Sequence, residues 1–452
     1  MKVYETQLSF SGSMGHAIIV EFNLNYRLIF WEKAQYVGCW DLGKGVWFTP
    51  EWLETNSPEN YHCYEPIMDK KTKYSKVSIV ESNKTRAKIQ WSYACNDMRY
   101  RIFHGNTFAE EEYLVYLDGV AVRKLTAYPG DQNSFGGNPN LWQVLEWIII
   151  NGTGTTPDTT IQKENAFVLS NDKGESISLN WPIQFNEFLP LCKPFPEIAN
   201  WNMYIGRVNL VDRPSPFVII AKDQRLFPFR PCSFCGKNHP YFSLFSGIGN
   251  VYKHWPASDR EDFVLADRGY DMVGKVATHS SFIDCNYSFR PFLHDFDDED
   301  LQEIAANYYV ETPPKGASWL FLTGATEKSQ DYLIELAQSW YHPAKVLTGN
   351  ECIKSIPGMA SGPVFYEGYA FSERAYIFRK FGPDKLEFTM EPKKIVINPV
   401  FIVNSWKSSD ISVNINQKKL NSSEVSSDFF RDELIIMIKG RFDKKIHVDI
   451  KG

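Results

Sequence analysis

Along the first 220 residues, apolar and polar positions alternate with the period of a pleated strand rather than a helix. GHAIIVEF (15–22), YRLIFWE (26–32), KVSIVES (76–82), AKIQWSYA (87–94), YRIFHG (100–105), YLVYLDGVAVRKLTAY (113–128) and ESISLNW (175–181) are rich in β-branched and aromatic residues. Turn-forming pairs such as Asn-Lys, Asp-Gly and Lys-Gly separate them. The series predicts antiparallel sheets packed face to face. Its clearest hairpin is YLDGVAV, where Asp118-Gly119 stands between two apolar runs.

Between residues 221 and 389 the pattern breaks into loops, prolines and aromatics, with two helical stretches. DDEDLQEIAANYY (297–309) begins with acids that suit a helix N-terminus. In TEKSQDYLIELAQSWYHP (326–343), Leu333, Leu336, Ala337 and Trp340 fall on one face and Pro343 follows. From about 390, short strands return in KIVINPVFIVNSW, ISVNINQKKL, ELIIMIK and KIHVDI. The expected fold is therefore mainly β. It has a large antiparallel β-sandwich-type region over 1–220, a loop-rich β region with two helices over 221–389 that completes a cleft, and a small C-terminal β-sandwich domain over 390–452.

Composition adds one feature. Aromatics make up 15% of the 452 residues, with 13 Trp, 23 Tyr and 32 Phe. Sheets favour aromatic side chains and account for much of this; rings left exposed would suit stacking on a sugar, and Trp40, Trp47 and Trp255 are candidates. A net charge of −6 without a basic run argues against a nucleic-acid partner. No stretch approaches the 18 apolar residues of a membrane span, and the N-terminal MKVYETQLSFSGSMGHAII has no continuous apolar core of a signal peptide. The expected location is periplasmic or secreted if a leader has been removed, and cytoplasmic otherwise. Eight scattered cysteines do not make a disulfide scaffold. In CSFCGKNH, Cys232, Cys235 and His239 have the spacing of a zinc knuckle, but a closed structural site needs four ligands. The expectation is no cofactor, with a structural zinc there as the minor alternative.

The candidate chemistry sits in two stretches. VYKHWPASDREDFVLADRGYDM (251–272) sets His254 and Trp255 before Pro256, then adds Arg260 and Arg268; His279 follows in KVATHSSFIDC. Histidine exchanges a proton near neutral pH, and arginine or lysine fixes a carboxylate. HCYEPIMDKKTKYSK (62–76) brings His62, Glu65, Asp69, Lys70 and Tyr74 together on a connection before a strand. The combination suits elimination at a uronic acid, in which a cation neutralises the carboxylate, a base removes the acidified proton, and an acid protonates the leaving oxygen. The sequence contains no GxSxG, HExxH, GxxxxGK[ST] or dinucleotide fingerprint.

The blocks RLIFWEKAQYVGCW, CYEPIMDKKTKYSKVSIVES, AKIQWSYACNDMRY and EYLVYLDGVAVRK, followed by KHWP and THSS, resemble a group of β-rich proteins from polysaccharide-utilisation systems of Bacteroidota. The resemblance covers most of residues 25–345. It implies a lyase or oligosaccharide dehydratase acting on uronic-acid sugars such as ulvan fragments. By position it implies roles for Asp69, Lys70, Tyr74, His254 and His279. The chain departs from the pattern at Ser92, where the group carries Arg, and at Leu117, where it carries Pro.

The expected assignment has His254 or His279 as base, Tyr74 or another tyrosine as acid, and Lys70, Asp69, Arg260, Arg268 and Trp255 binding an acidic oligosaccharide or polysaccharide. A glycoside hydrolase using two carboxyl groups, with Asp118, Glu146 and Asp267 as candidates, is the first alternative. A non-catalytic glycan-binding protein that stacks sugars on its tryptophans is the second.

Overall fold

The computed structural model describes residues 1–22, 24–56, 63–97, 99–130, 142–181, 195–221, 226–230, 277–287, 313–348, 364–380 and 384–452. Strands dominate it, as the alternation predicts. One ten-stranded sheet runs, edge to edge, through Lys2–Phe10, Ser13–Glu21, Arg27–Trp31, Gly38–Asp41, Val46–Pro50, Trp142–Asn151, Thr278–Tyr287 and Leu226–Arg230. Glu54–Asn56 joins Trp142–Asn151 beside this path, and Cys63–Tyr64 joins Glu54–Asn56. The nine-stranded sheet runs through Ser176–Leu179, Phe167–Ser170, Met203–Val208, Ser215–Ala221, Ala317–Thr326, Val120–Tyr128, Phe108–Tyr116, Arg86–Ala94 and Lys76–Ser82.

The two sheets pack on each other through their aromatics. Phe30 meets Tyr113 edge-on at 5.1 Å, and the Trp40 indole donates to Thr323 Oγ1 at 3.2 Å. Gly38 and Gly206 lie so close under Tyr113 and Trp147 that a Cβ would come within 3 Å of those rings. A side chain there would push the layers apart. The Asp118-Gly119 hairpin forms as expected, pairing Phe108–Tyr116 with Val120–Tyr128 and Gly119 at φ +71°. YRIFHG does not form a strand. Phe103–Gly105 is a single 3-10 turn, with His104 at φ 48° and its ring stacked on Phe103 at 4.0 Å.

Two five-stranded sheets make the C-terminal module. One contains Lys345–Thr348, Lys385–Glu391, Ile446–Lys451, Ser412–Ile415 and Lys418–Lys419; the other contains Val364–Ala370, Ala375–Lys380, Val400–Asn404, Glu433–Ile438 and Val425–Phe430. The module therefore starts near Lys345, not near 390, because Ala375–Lys380 pairs with Val400–Asn404 and Lys385–Glu391 with Ile446–Lys451. Nor does the sandwich end at residue 220, since Thr278–Tyr287 and Ala317–Thr326 are integral to its sheets. Both shifts have one cause: partners far apart in sequence complete each sheet.

The second expected helix forms at Gln330–Tyr341 and buries Leu333, Leu336, Ala337 and Trp340. It joins the modules. Gln330 donates to Ser170 Oγ and the Ile205 carbonyl on the sandwich, while Trp340 donates to the Phe371 carbonyl and Ser339 accepts from Ile397 N–H on the other side. The first expected helix, 297–309, lies outside the described residues.

Candidate functional site

The strand Val46–Pro50 and the strand Glu54–Asn56 pair with the same neighbour in one register. Pro50 lies opposite Trp147 and Glu54 opposite Gln143. The three residues between them arch away. Continued through the arch, that register would set Glu51 directly against Glu146, an arrangement of like charges that disfavours pairing. Glu51 takes a left-handed backbone, φ 29°, which costs a non-glycine residue conformational energy.

The arch is held from the facing sheet. The Arg123 guanidinium, fully buried, donates to the carbonyls of Pro50 and Glu51. Its own charge is met by Glu111, at 2.7 Å from Nε and 2.8 Å from Nη2. Tyr93 accepts from Leu53 N–H at 2.7 Å and donates to Glu111 at 2.9 Å, and Tyr113 donates to the other Glu111 oxygen at 3.0 Å. A paired and fully hydrogen-bonded buried charge is tolerated where a lone one is not. This network fixes the backbone of the arch and leaves the Glu51 side chain to point elsewhere.

Four glutamates gather beside the arch. Glu51, Glu54, Glu65 and Glu146 are 3%, 7%, 3% and 6% exposed, so all are withdrawn from water. Gln143 Nε2 bridges two of them, donating to Glu51 at 2.6 Å and to Glu146 at 3.3 Å. Glu65 accepts from the Trp52 indole at 3.2 Å and shares a hydrogen bond with Glu54. Burial pushes the Glu51 carboxyl well above the ordinary range, and the neighbouring Glu146 and Glu54 push it further. Burial also raises Glu65, to about 7, against the opposing pull of its hydrogen bonds and of the Lys70 ammonium. Carboxyls in such surroundings hold protons near neutrality and exchange them.

The predicted residues divide around this cluster. Lys70 is half-buried and lies close enough to Glu65 for its charge to be felt there. Asp69 is fully buried and accepts from the backbone N–H groups of Lys73, Tyr74 and Ser75 at 2.8, 2.6 and 3.0 Å, so its carboxylate shapes the 69–75 turn that carries Lys70. Tyr74 donates to the Tyr100 carbonyl at 2.9 Å. His279 lies on Thr278–Tyr287 opposite Ile150, in the strand next to that of Glu146. Four residues separate Ile150 from Glu146, about 13 Å along a strand. His62, His254, Trp255, Arg260, Asp267, Arg268, Cys232, Cys235 and His239 lie outside the described residues.

Several expectations change. Trp40 and Trp47 are 0% and 2% exposed and belong to the core, Trp47 stacked on Phe10 at 3.8 Å, so neither offers a face to a sugar. Asp118 is held by Arg374 at 2.8 Å and by Asn398, so it ties its hairpin turn to the C-terminal module. Glu146 and Glu65, both named from the sequence, join the cluster. Glu51 and Glu54 escape a pattern reading because TPEWLET looks like the end of a strand. The available signal is two acids within a run of Trp, Phe and Leu, where charge is costly.

No protein-family model matches the chain, and no curated protein matches it. Among the described residues no helix is long and apolar enough to cross a membrane.

Proposed function

We propose that the chain is a carbohydrate-active elimination enzyme, a dehydratase or polysaccharide lyase acting on uronic-acid glycans such as ulvan oligosaccharides, with the buried glutamate cluster as its proton-transfer centre. The observation that carries this reading is the buried glutamate cluster, in which Gln143 bridges Glu51 and Glu146, burial raises Glu51, and burial raises Glu65 to about 7. Elimination needs a group that takes a proton from carbon and one that gives a proton to the departing oxygen. Carboxyls whose surroundings favour the protonated form supply the acid, and the ionised member of a shared pair supplies the base.

Holding protons also lets the cluster accept an anionic sugar, because neutral carboxyls do not repel a uronate. Lys70, carried by the Asp69 turn, supplies a positive charge beside Glu65. His279, on the strand next to Glu146, and Tyr74 remain candidates for a relay to or from the cluster. Mass spectrometry of acidic oligosaccharides before and after incubation tests the reading. Loss of one water from an intact oligomer marks a dehydratase, and an unsaturated cleavage product marks a lyase. Oligosaccharides recovered unchanged would overturn it.

One observation favours a second reading. Gln143 bridges Glu51 and Glu146, which brings their bonded oxygens within about 6 Å, near the roughly 5–5.5 Å carboxyl separation of retaining glycosidases. A glycosidase would release fragments that gain one water.

A further inference from the structure

Away from the glutamates, a cleft of about 980 Å³ opens where the sandwich meets the C-terminal module. That volume falls within the range of small-molecule sites, which favour such junctions. It adjoins a second hollow of about 670 Å³, and both are bordered by Leu24, Asn25 and Tyr26, so the recess is elongated.

Its polar lining is lopsided. Of its two carboxylates, Asp118 is taken by Arg374, Asn398 and the Val120 N–H, while the exposed Glu327 accepts from Asn25 through one oxygen at 3.1 Å. The donors are left over. Tyr26 is 8% exposed and Tyr332 half-buried; both line the cleft, and among the described residues no group accepts from either hydroxyl. Burial and the nearby Asp118 raise both phenols, so each stays protonated and can only profit from an acceptor. Lys328 sits over the Tyr332 ring at 3.9 Å, and neither Lys328 nor Lys439 has an ion-pair partner among the described residues. Arg441, by contrast, is neutralised by Glu335 and Asp443.

We infer that this cleft is a second binding site, taking an oligosaccharide through a carboxylate or sulfate group, with Lys328 and Lys439 meeting the charge and the Tyr26 and Tyr332 hydroxyls donating to its oxygens. A hydroxyl that lines the cleft without a protein acceptor keeps its donor available for a ligand oxygen. The choice of a saccharide rests on the function proposed above; the demand for an anionic, acceptor-rich ligand rests on the cleft alone.

Calorimetric titration of the full chain tests it, using an ulvan tetrasaccharide, its desulfated form and its carboxyl-reduced form. The expected result is two binding events in the wild type, one weakened about tenfold or more in the Lys328→Ala/Lys439→Ala double variant. Tyr26→Phe weakens the same event, while turnover at saturating substrate and the melting temperature stay near wild type. Loss of binding on desulfation identifies a sulfate contact, and loss on carboxyl reduction a carboxylate contact. A single event in the wild type, isotherms unchanged by the double substitution, or equal binding of a tetrasaccharide lacking both groups would overturn the inference. Turnover without the second event defeats the cleft alone. The second event without turnover defeats the proposed function and leaves the cleft standing.

Discussion

Arg123, buried on the nine-stranded sheet, donates to the main-chain carbonyl of Glu51 on the opposite sheet, at the point where Glu51 adopts a left-handed backbone. The contact ties the core of the sandwich to the position of one carboxyl group. A strained φ persists only where surroundings over-determine it, and here Arg123 and Tyr93 hold the residues on both sides of the strain.

Substituting Arg123 with Met strands Glu111 as a buried anion and frees the arch. The expected loss is about 3–5 kcal/mol of stability by denaturant titration. Tyr93→Phe removes one hydrogen bond from Glu111 and one from Leu53 N–H, at an expected cost of about 1–3 kcal/mol. A loss from Arg123→Met no larger than that from Tyr93→Phe would contradict the network as drawn.

The raised Glu65 carboxyl gives a pH signature. Its folded pKa of about 7 exceeds the ordinary value of 4.5. Its contribution to stability is therefore fully present below about pH 4.5 and is lost as pH rises through 7. Against Glu65→Gln, the wild type should lose up to roughly 3 kcal/mol between those limits. Denaturation midpoints of both proteins from pH 4 to 8 check this. A constant difference across the range would mean that Glu65 titrates normally.

The sandwich was legible because its strands alternate and Asp118-Gly119 is an unambiguous turn. Helix Gln330–Tyr341 was legible because its apolar residues share one face. The C-terminal boundary was not, because strands before and after residue 390 look alike and only long-range pairing assigns Lys385–Glu391 to the module. At the site, Lys70, Glu65 and Glu146 could be singled out in sequence. Their convergence with Glu51 and Glu54 depends on the register of Trp142–Asn151, which local pattern does not encode.

Gly119 carries a further prediction. At φ +71° it lies where a Cβ would collide with the Tyr26 hydroxyl. Gly119→Ala therefore meets both backbone strain and a clash, and should cost about 1–3 kcal/mol. It should also perturb Tyr26 fluorescence or its NMR resonance. An unchanged melt would show that the hairpin and the Tyr26 loop shift apart freely.

Asp69→Ala removes the acceptor of three main-chain N–H groups and should loosen the 69–75 turn. The expected outcome is about 1–3 kcal/mol lost, with turnover lowered through displaced Lys70. Asp69→Asn, which keeps an acceptor oxygen, should recover part of both. Equal effects of the two substitutions would argue for a direct role of the carboxylate charge.

The most direct measurement compares wild type, Glu51→Gln and Glu146→Gln on ulvan oligosaccharides by mass spectrometry and unsaturated-uronate absorbance, with melts recorded alongside. Glutamine keeps the shape of the cluster and removes a proton donor or acceptor, a loss that typically costs about 10²–10⁴-fold in rate. The account predicts elimination product from the wild type, turnover reduced by that order in both variants, and melts at or above the wild-type temperature near pH 7. Wild-type turnover carried on equally by both variants would contradict it.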